Sequence, residues 1–321
     1  MKTPVNRLIT HSGSFHADDV MATVVLRHLF PAAAIIRTRD PAILTTTDSG
    51  DIVYDVGFEY DAVCRRYDHH QPGHPLREDG TPYSSFGLVW RHHGAEFLRS
   101  HYPGDPEDVL RAAWGGIDRR FVIDIDRADN GYVPPGAVAS SSDTSLSLLV
   151  EDFVAPWDDP SQNNDLRFLE ALSLFGEVFR KRVGRAVSSA RAEAAVLQAF
   201  LTAEDPRIVV IPDYMPVGSV IRKHGFDQAL YTVERSRSGE WFVTCVRPEG
   251  DPFGQRKPLP LEWAGLRDGD LAAVTGVEDA VFCHVKRFTC ATRSLETALR
   301  LARLAVEWEP SPATTPPQSH P

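Results

Sequence analysis

The stretch Arg66-Tyr67-Asp68-His69-His70-Gln71 decides how the rest of the chain is read. An aspartate and two histidines stand where a strand runs into a loop, and none of them helps build a core. Carboxylate oxygens and imidazole nitrogens are ligands for hard or borderline divalent cations. Two upstream segments have the same character. Asp51-Ile52-Val53-Tyr54-Asp55-Val56-Gly57 reads as a buried strand ending in a carboxylate. His11-Ser12-Gly13-Ser14-Phe15-His16-Ala17-Asp18-Asp19 follows a short strand over residues 6–10. Three strand ends carrying His or Asp point to one metal cluster at the carboxyl edge of a parallel sheet. Open α/β folds bind ligands at that edge.

Outward from these segments, Val20, Val24, Val25, Leu26 and Leu29 share a helical face that Pro31 closes. Asp18 or Asp19 serves as its N-cap, but capping leaves His11 and His16 unexplained. Residues 34–37 and 51–56 read as further strands, so the chain opens with a βαβ unit. Pro72, Gly73, Pro75, Gly80 and Pro82 mark a loop, and Ser84-Ser85-Phe86-Gly87 opens a helix. That helix N-terminus offers amides and a positive dipole end to a phosphate, or is simply capped by Ser84 or Ser85. His92-His93, inside the helix, reads as partly exposed surface. Residues 106–113 start another helix. Asp124, Asp126 and Asp129 then precede an Asn130-Gly131 turn. Asp126 and Asp129 share a face if the stretch is helical. Alone this would be a solvated face with a turn. Beside three metal-like segments it offers a fourth ligand, Asp129 or Asp126.

Residues 133–142 read as loop, and 165–201 as one long helix with Phe168, Leu172, Phe175, Phe179 and Val183 on a face. A β-rich unit begins at residues 207–211. Strands over 229–233 and 241–246 flank the hairpin turn Arg237-Ser238-Gly239. Residues 280–284 form another strand, and Thr292 or Ser294 caps a last helix to 307. The pattern predicts an α/β fold with four parts. Residues 1–160 form a parallel-sheet metal-binding domain and 161–204 a helical connector. Residues 205–309 form a smaller α+β substrate-binding domain, and 310–321 a disordered Pro- and Ser-rich tail.

Composition narrows the function. Of 321 residues 42% are hydrophobic and 24% charged, as in ordinary soluble domains. No apolar run approaches the ~20 residues of a membrane helix. Residues 1–7 lack a signal-peptide core, so a cytoplasmic location without a membrane partner is expected. Cys64, Cys245, Cys283 and Cys290 form no Cys-x-x-Cys pair and are expected to be free, buried thiols. Residues 207–309 hold 14 Lys+Arg and 14 Asp+Glu, leaving 20 against 30 in the first 206. The net charge of −10 therefore sits in the metal-like half. A long nucleic-acid track needs a basic stripe; this balance suits a small or short phosphorylated substrate.

These motifs resemble the DHH phosphoesterase superfamily, and within it the Myg-type exonuclease family. The opening pattern stands as Thr10-His11-Ser12-Gly13-Ser14-Phe15-His16-Ala17-Asp18. Asp55-Val56-Gly57, Tyr67 to Gln71 and Asp126 to Gly131 follow it in order. Arg256-Lys257-Pro258-Leu259-Pro260, Trp263-Ala264-Gly265-Leu266-Arg267 and Phe282-Cys283-His284 extend the likeness over residues 10–305. The chain departs from the family at Ser12, Ala17, Lys286 and Arg287.

The resemblance implies a DHH-type N-terminal domain holding two divalent ions, Mn²⁺ or else Mg²⁺, that clamp a displacement at phosphorus. It gives one ion His11, His16 and Asp55, and the other Asp18, Asp55, His69 and Asp129, with Asp55 bridging. Asp68 would hold a ligating histidine, and His70 would contact phosphate or orient its neighbour. Arg256, Lys257 and His284 would hold the substrate. The activity implied is 3′–5′ exonucleolytic hydrolysis of RNA or short oligonucleotides, with a homodimer allowed. A small-molecule phosphatase or pyrophosphatase on the same metals, and a non-catalytic metal-binding scaffold, are the competing readings.

Overall fold

Short apolar runs bounded by polar loops set the strands of the N-terminal half. The computed structural model describes residues 4–136, 145–211, 213, 215, 217–251 and 253–309. Packing divides the chain into two units, Met1–Ala190 and Arg191–Pro321. The first contains β1 (Arg7–Thr10), α1 (Ala17–Leu29), β2 (Ala34–Arg37), α2 (Pro41–Leu44), β3 (Asp51–Tyr54), β4 (Tyr60–Asp61) and β5 (Arg66–Tyr67). Then come α3 (Ser85–His101), α4 (Glu107–Ile117), a π-helical turn (Asp118–Val122), α5 (Ile123–Asp129), α6 (Leu146–Glu151) and the long α7 (Asn164–Leu201).

The sheet order is β2-β1-β3-β5-β4. The first four strands are parallel, and β4 pairs antiparallel with β5 at the edge. Leu8, Ile9, Ile52, Val53 and Tyr54 are buried, as central parallel strands require. α1 packs on α3, and Phe86, Trp90, Phe97 and Phe121 surround Phe179 of α7.

In the second unit β6 (Ile208–Ile211) is followed by α8 (Val217–His224), β7 (Tyr231–Arg235) and β8 (Trp241–Cys245). A 3₁₀ turn (Leu261–Trp263), α9 (Asp268–Thr275), β9 (Ala280–Cys283), β10 (Thr289–Thr292) and α10 (Leu295–Glu307) complete it. The strand order is β6-β7-β8-β10-β9, with β6 and β7 parallel and the rest antiparallel. α10 packs on the sheet, and Val196 and Phe200 of α7 join the apolar cluster beneath α8. Ser294, not Thr292, caps α10, accepting a bond from the Thr297 amide at 3.3 Å.

Phe168, Phe175, Phe179 and Val183 of α7 are buried in the first unit, and Val196 and Phe200 in the second. Two differences from the sequence reading have physical causes. β10, with the sequence Thr-Cys-Ala-Thr, lacks the apolar alternation of a strand, yet all four residues are buried between β8 and β9. Cys64 lies exposed in the turn between β4 and β5, whereas Cys245, Cys283 and Cys290 are buried, free thiols. The loop expected over 133–142 is described only to residue 136, and the tail over 310–321 lies outside the described residues. No described helix is long and apolar enough to cross a membrane.

Candidate metal centre

Strand order brings the motifs together. β1, β3 and β5 are neighbours, so His11, Asp55 and Asp68-His69-His70 emerge side by side at their carboxyl ends. A short loop after β1 carries the chain into α1, whose N-cap is His16 and whose first turn holds Asp18 and Asp19. The positive end of the helix dipole favours carboxylates there. Asp129 comes from the other kind of terminus, the last residue of α5. Asn130 follows as C-cap and Gly131 takes the left-handed conformation, φ 57°, that commonly ends helices.

Asp55 is the hub. It is 3% exposed, and its backbone φ is 54°, a left-handed conformation that aspartate tolerates better than most residues. One carboxylate oxygen lies 3.1 Å from His11 Nε2; the other lies 3.4 Å from His69 Nε2 and accepts a 3.2 Å bond from Ser85 Oγ. His69 Nε2 also sits 3.2 Å from Asp129 and 3.9 Å from Asp18. Ligand atoms of His11, His16 and Asp55 converge within 4.8 Å of one another, as do those of His16, Asp18 and Asp129. Asp18, Asp19 and Asp55 form a third such group, and Asp55, His69 and His70 a fourth.

Protons and charges in this cluster are arranged as if cations belonged in it. Burial, and then the Asp55 charge, push the Asp18 carboxyl up; burial and the Asp18 charge do the same to Asp129. Burial opposes a charge on His69, but the surrounding carboxylates outweigh it and push the imidazole up. Asp18 Oδ1 and Asp19 Oδ2 are buried without a hydrogen-bond partner, although Asp19 Oδ2 stands 3.3 Å from His11 Nε2. Buried polar atoms ordinarily have partners. Orphaned carboxylate oxygens among mixed imidazole and carboxylate donors fit divalent ions, and these buried His/Asp clusters can bind them.

Asp68 plays a different part. One of its oxygens accepts from the His69 and His70 amides and from His70 Nδ1 at 2.7 Å, and the other from the Phe58 amide at 2.6 Å. It therefore holds the ring of half-exposed His70, and these bonds keep its carboxyl below the usual range against the effect of burial.

The MYG1 family model, described as "Uncharacterised protein family (UPF0160)", matches residues 7–306. The chain belongs to this family. MYG1 exonuclease of Mus musculus is 33% identical over 336 residues, covering 95% of this chain and 86% of its own. A MYG1 protein of Schizosaccharomyces pombe is 31% identical, covering 94% and 98%. MYG1 exonuclease of Homo sapiens is 33% identical, covering 92% and 85%. RecJ in complex with Mn²⁺ from Thermus thermophilus gives a TM-score of 0.28 at 15% identity, covering 94% of this chain and 52% of that one. That likeness is too slight to bear on the fold.

Within this member of the MYG1 family, Asp126 stands apart from the cluster. It is fully buried and accepts from Arg77 Nε at 2.6 Å, the Ser84 amide at 3.0 Å and Ser84 Oγ at 2.7 Å. Arg77 also grips Asp118 through both terminal nitrogens, at 2.7 and 3.0 Å. Ser84 caps α3, and the next amide, Ser85 N, donates to Asp18 at 3.2 Å. The α3 N-terminus thus meets protein carboxylates. Sequence reasoning missed Asp19, Ser85 and Arg77. Asp19 was visible only as a capping residue, and Arg77 gave no local signal.

The cluster opens into a cleft of about 500 Å³ whose lining includes His16, Arg39, His70, His74, Asn130 and Glu151. In the second unit, Arg256 donates to the Phe226 and Ala229 carbonyls, and Lys257 Nζ to the Val306 carbonyl at 2.7 Å. His284 Nδ1 accepts from the Lys286 amide at 3.1 Å. His92 and His93 engage the Tyr60 and Tyr67 hydroxyls at 2.8 and 2.9 Å.

Proposed function

We propose that the chain is a metal-dependent phosphodiesterase, a 3′–5′ exonuclease acting on RNA or short oligonucleotides by two-metal hydrolysis. The observation that carries this reading is the convergence of His11, His16, Asp18, His69 and Asp129 around Asp55. Such a donor set suits a pair of divalent ions, Mn²⁺ better than Mg²⁺, because Mg²⁺ prefers oxygen and water. The ions supply Lewis-acid stabilisation of the phosphate and an acidified water. Relatives named MYG1 exonuclease support the choice of a nuclease over a phosphatase.

In this reading His11 and His16 hold one ion, Asp18, His69 and Asp129 hold the other, and Asp55 serves both. Ser85 fixes the Asp55 carboxylate from the α3 N-terminus. The Asp68 bond to Nδ1 favours the charged His70 ring, leaving Nε2–H free to donate to a phosphate oxygen. The reading extends to Arg256, Lys257 and His284 as substrate contacts. Arg256 and Lys257 each already hold a carbonyl of their own unit, so His284 is the freest of the three. End-labelled RNA and DNA oligonucleotides incubated with Mn²⁺ test the reading. Mononucleotides released stepwise from the 3′ end are expected. Cleavage of pyrophosphate alone, or of nothing, overturns it.

A further inference from the structure

Phe58 is a large aromatic residue standing 73% exposed at the rim of the cluster. Its backbone φ is 57°, in the left-handed region where glycine fits without strain and a bulky side chain does not. The chain is held there by a 2.6 Å bond from the Phe58 amide to Asp68. The other oxygen of the same carboxylate holds the His70 ring. One buried group thus fixes both the imidazole that faces the cleft and the phenyl ring beside it. The two rings lie 6.2 Å apart, edge to face.

Beyond Phe58 runs a groove of about 600 Å³, whose lining includes Leu44, Val53, Val56, Phe58, Arg39 and Arg66. Arg39 also lines the metal cleft, so groove and cleft adjoin at this residue. Arg39 is exposed and uses its Nε on the Ser12 carbonyl at 3.1 Å. A phosphate chain leaving the cleft past His70 and Arg39 meets next an apolar floor and an exposed aromatic face. The ligand with that sequence of chemistry is a nucleotide, anionic at one end and flat and aromatic at the other.

We infer that Phe58 is a stacking platform for the nucleobase attached to the phosphate held in the metal cleft, with Arg39 bridging phosphate and base pockets. The inference rests on the proposed phosphodiesterase reading and names the substrate class that site takes. Stacking on an aromatic side chain is sequence-tolerant, because every base has a π face. The platform therefore confers preference for a base over no base, and little preference among bases.

The test separates this claim from the reaction itself. Calorimetry on the Mn²⁺-loaded full chain compares adenosine 5′-monophosphate with ribose 5-phosphate, which carries the phosphate and sugar without the base. The wild type is expected to bind the nucleotide roughly tenfold more tightly, the scale of one stacked base. Phe58→Gly removes the ring and suits the left-handed backbone, so it keeps the fold while losing that preference. Phe58→Trp keeps the preference. On oligonucleotides, Phe58→Gly should raise KM more for an intact terminal residue than for an abasic one. A wild type without base preference, or a Phe58→Gly protein that retains it, overturns the inference. A protein that hydrolyses no phosphodiester, yet shows a Phe58-dependent base preference, refutes the proposed reaction and supports the platform.

Discussion

Replacing Arg77 by alanine isolates a buried charge and measures how much the surrounding frame depends on it. The Arg77 side chain is 9% exposed, Asp126 0% and Asp118 16%. Arg77 makes three short bonds to these two carboxylates, and its guanidinium lies 4.5 Å from the centre of the Tyr83 ring. Losing one partner of a buried ion pair costs about 3–5 kcal/mol, because the remaining charge is buried without compensation. For a domain of this size each kcal/mol moves the thermal midpoint by roughly 2–4 °C, so a fall of roughly 6–20 °C is expected. The loss should depend on pH. Burial holds the Asp126 carboxyl up at about 6 even with Arg77 and Ser84 pulling it down. A folded-state value above the unfolded one means Asp126 favours folding at low pH, a contribution lost as pH rises through about 6. Without Arg77 the group moves higher still, and its ionisation penalises the fold over a wider range. The variant's deficit should therefore be larger at pH 8 than at pH 5. Thermal melts followed by circular dichroism on EDTA-treated protein give the numbers, since bound metal would stabilise both proteins and mask the difference. Asp126→Asn should cost less, because Arg77 keeps its paired grip on Asp118. A midpoint shift under 2 °C (roughly 1 kcal/mol or less), or a deficit equal at both pH values, would refute the reasoning.

Three further outcomes follow from the proposed chemistry. Elemental analysis after Mn²⁺ loading should give about two ions per chain, and Asp55→Ala should lose metal while lowering kcat by about 10²–10³; near wild-type hydrolysis by that variant at saturating Mn²⁺ removes Asp55 from its central role. Paired Arg256→Ala and Lys257→Ala should raise KM for oligonucleotides and weaken its dependence on salt without changing Mn²⁺ binding, whereas a drop in thermal midpoint with unchanged KM assigns both residues to holding the Phe226, Ala229 and Val306 carbonyls.

Much of the first unit was legible because its signals are local. Short strands with buried apolar centres, a proline-closed helix and His or Asp at strand ends each occupy a few consecutive positions. Order along the chain then implies adjacency in a parallel sheet. The second unit was less legible. β10 is buried through its pairing with β8, which lies far back in sequence, and Thr-Cys-Ala-Thr has no pattern that marks a strand. Arg77 illustrates the same limit, since its partners lie 41 and 49 residues away.

The pair Asp126 and Asp129 shows where spacing stops and packing takes over. Three positions apart on α5, they face roughly the same side, and sequence alone left either one as the ligand. The difference lies in what meets each of them. Asp126 sits one turn inside the helix, where Arg77 and the Ser84 cap fill its hydrogen-bonding capacity. Gly87 lets α3 come so close that a methyl group there would collide with that carboxylate. Asp129 is the last residue of the same helix, past the reach of Arg77, and lies 3.2 Å from His69. One carboxylate therefore locks α5 to the loop that follows Asp68-His69-His70, and the lock presents the other to the cluster. An Asp126 variant that leaves the fold intact but weakens Mn²⁺ binding would measure that coupling, because Asp126 touches none of the clustered His and Asp residues itself.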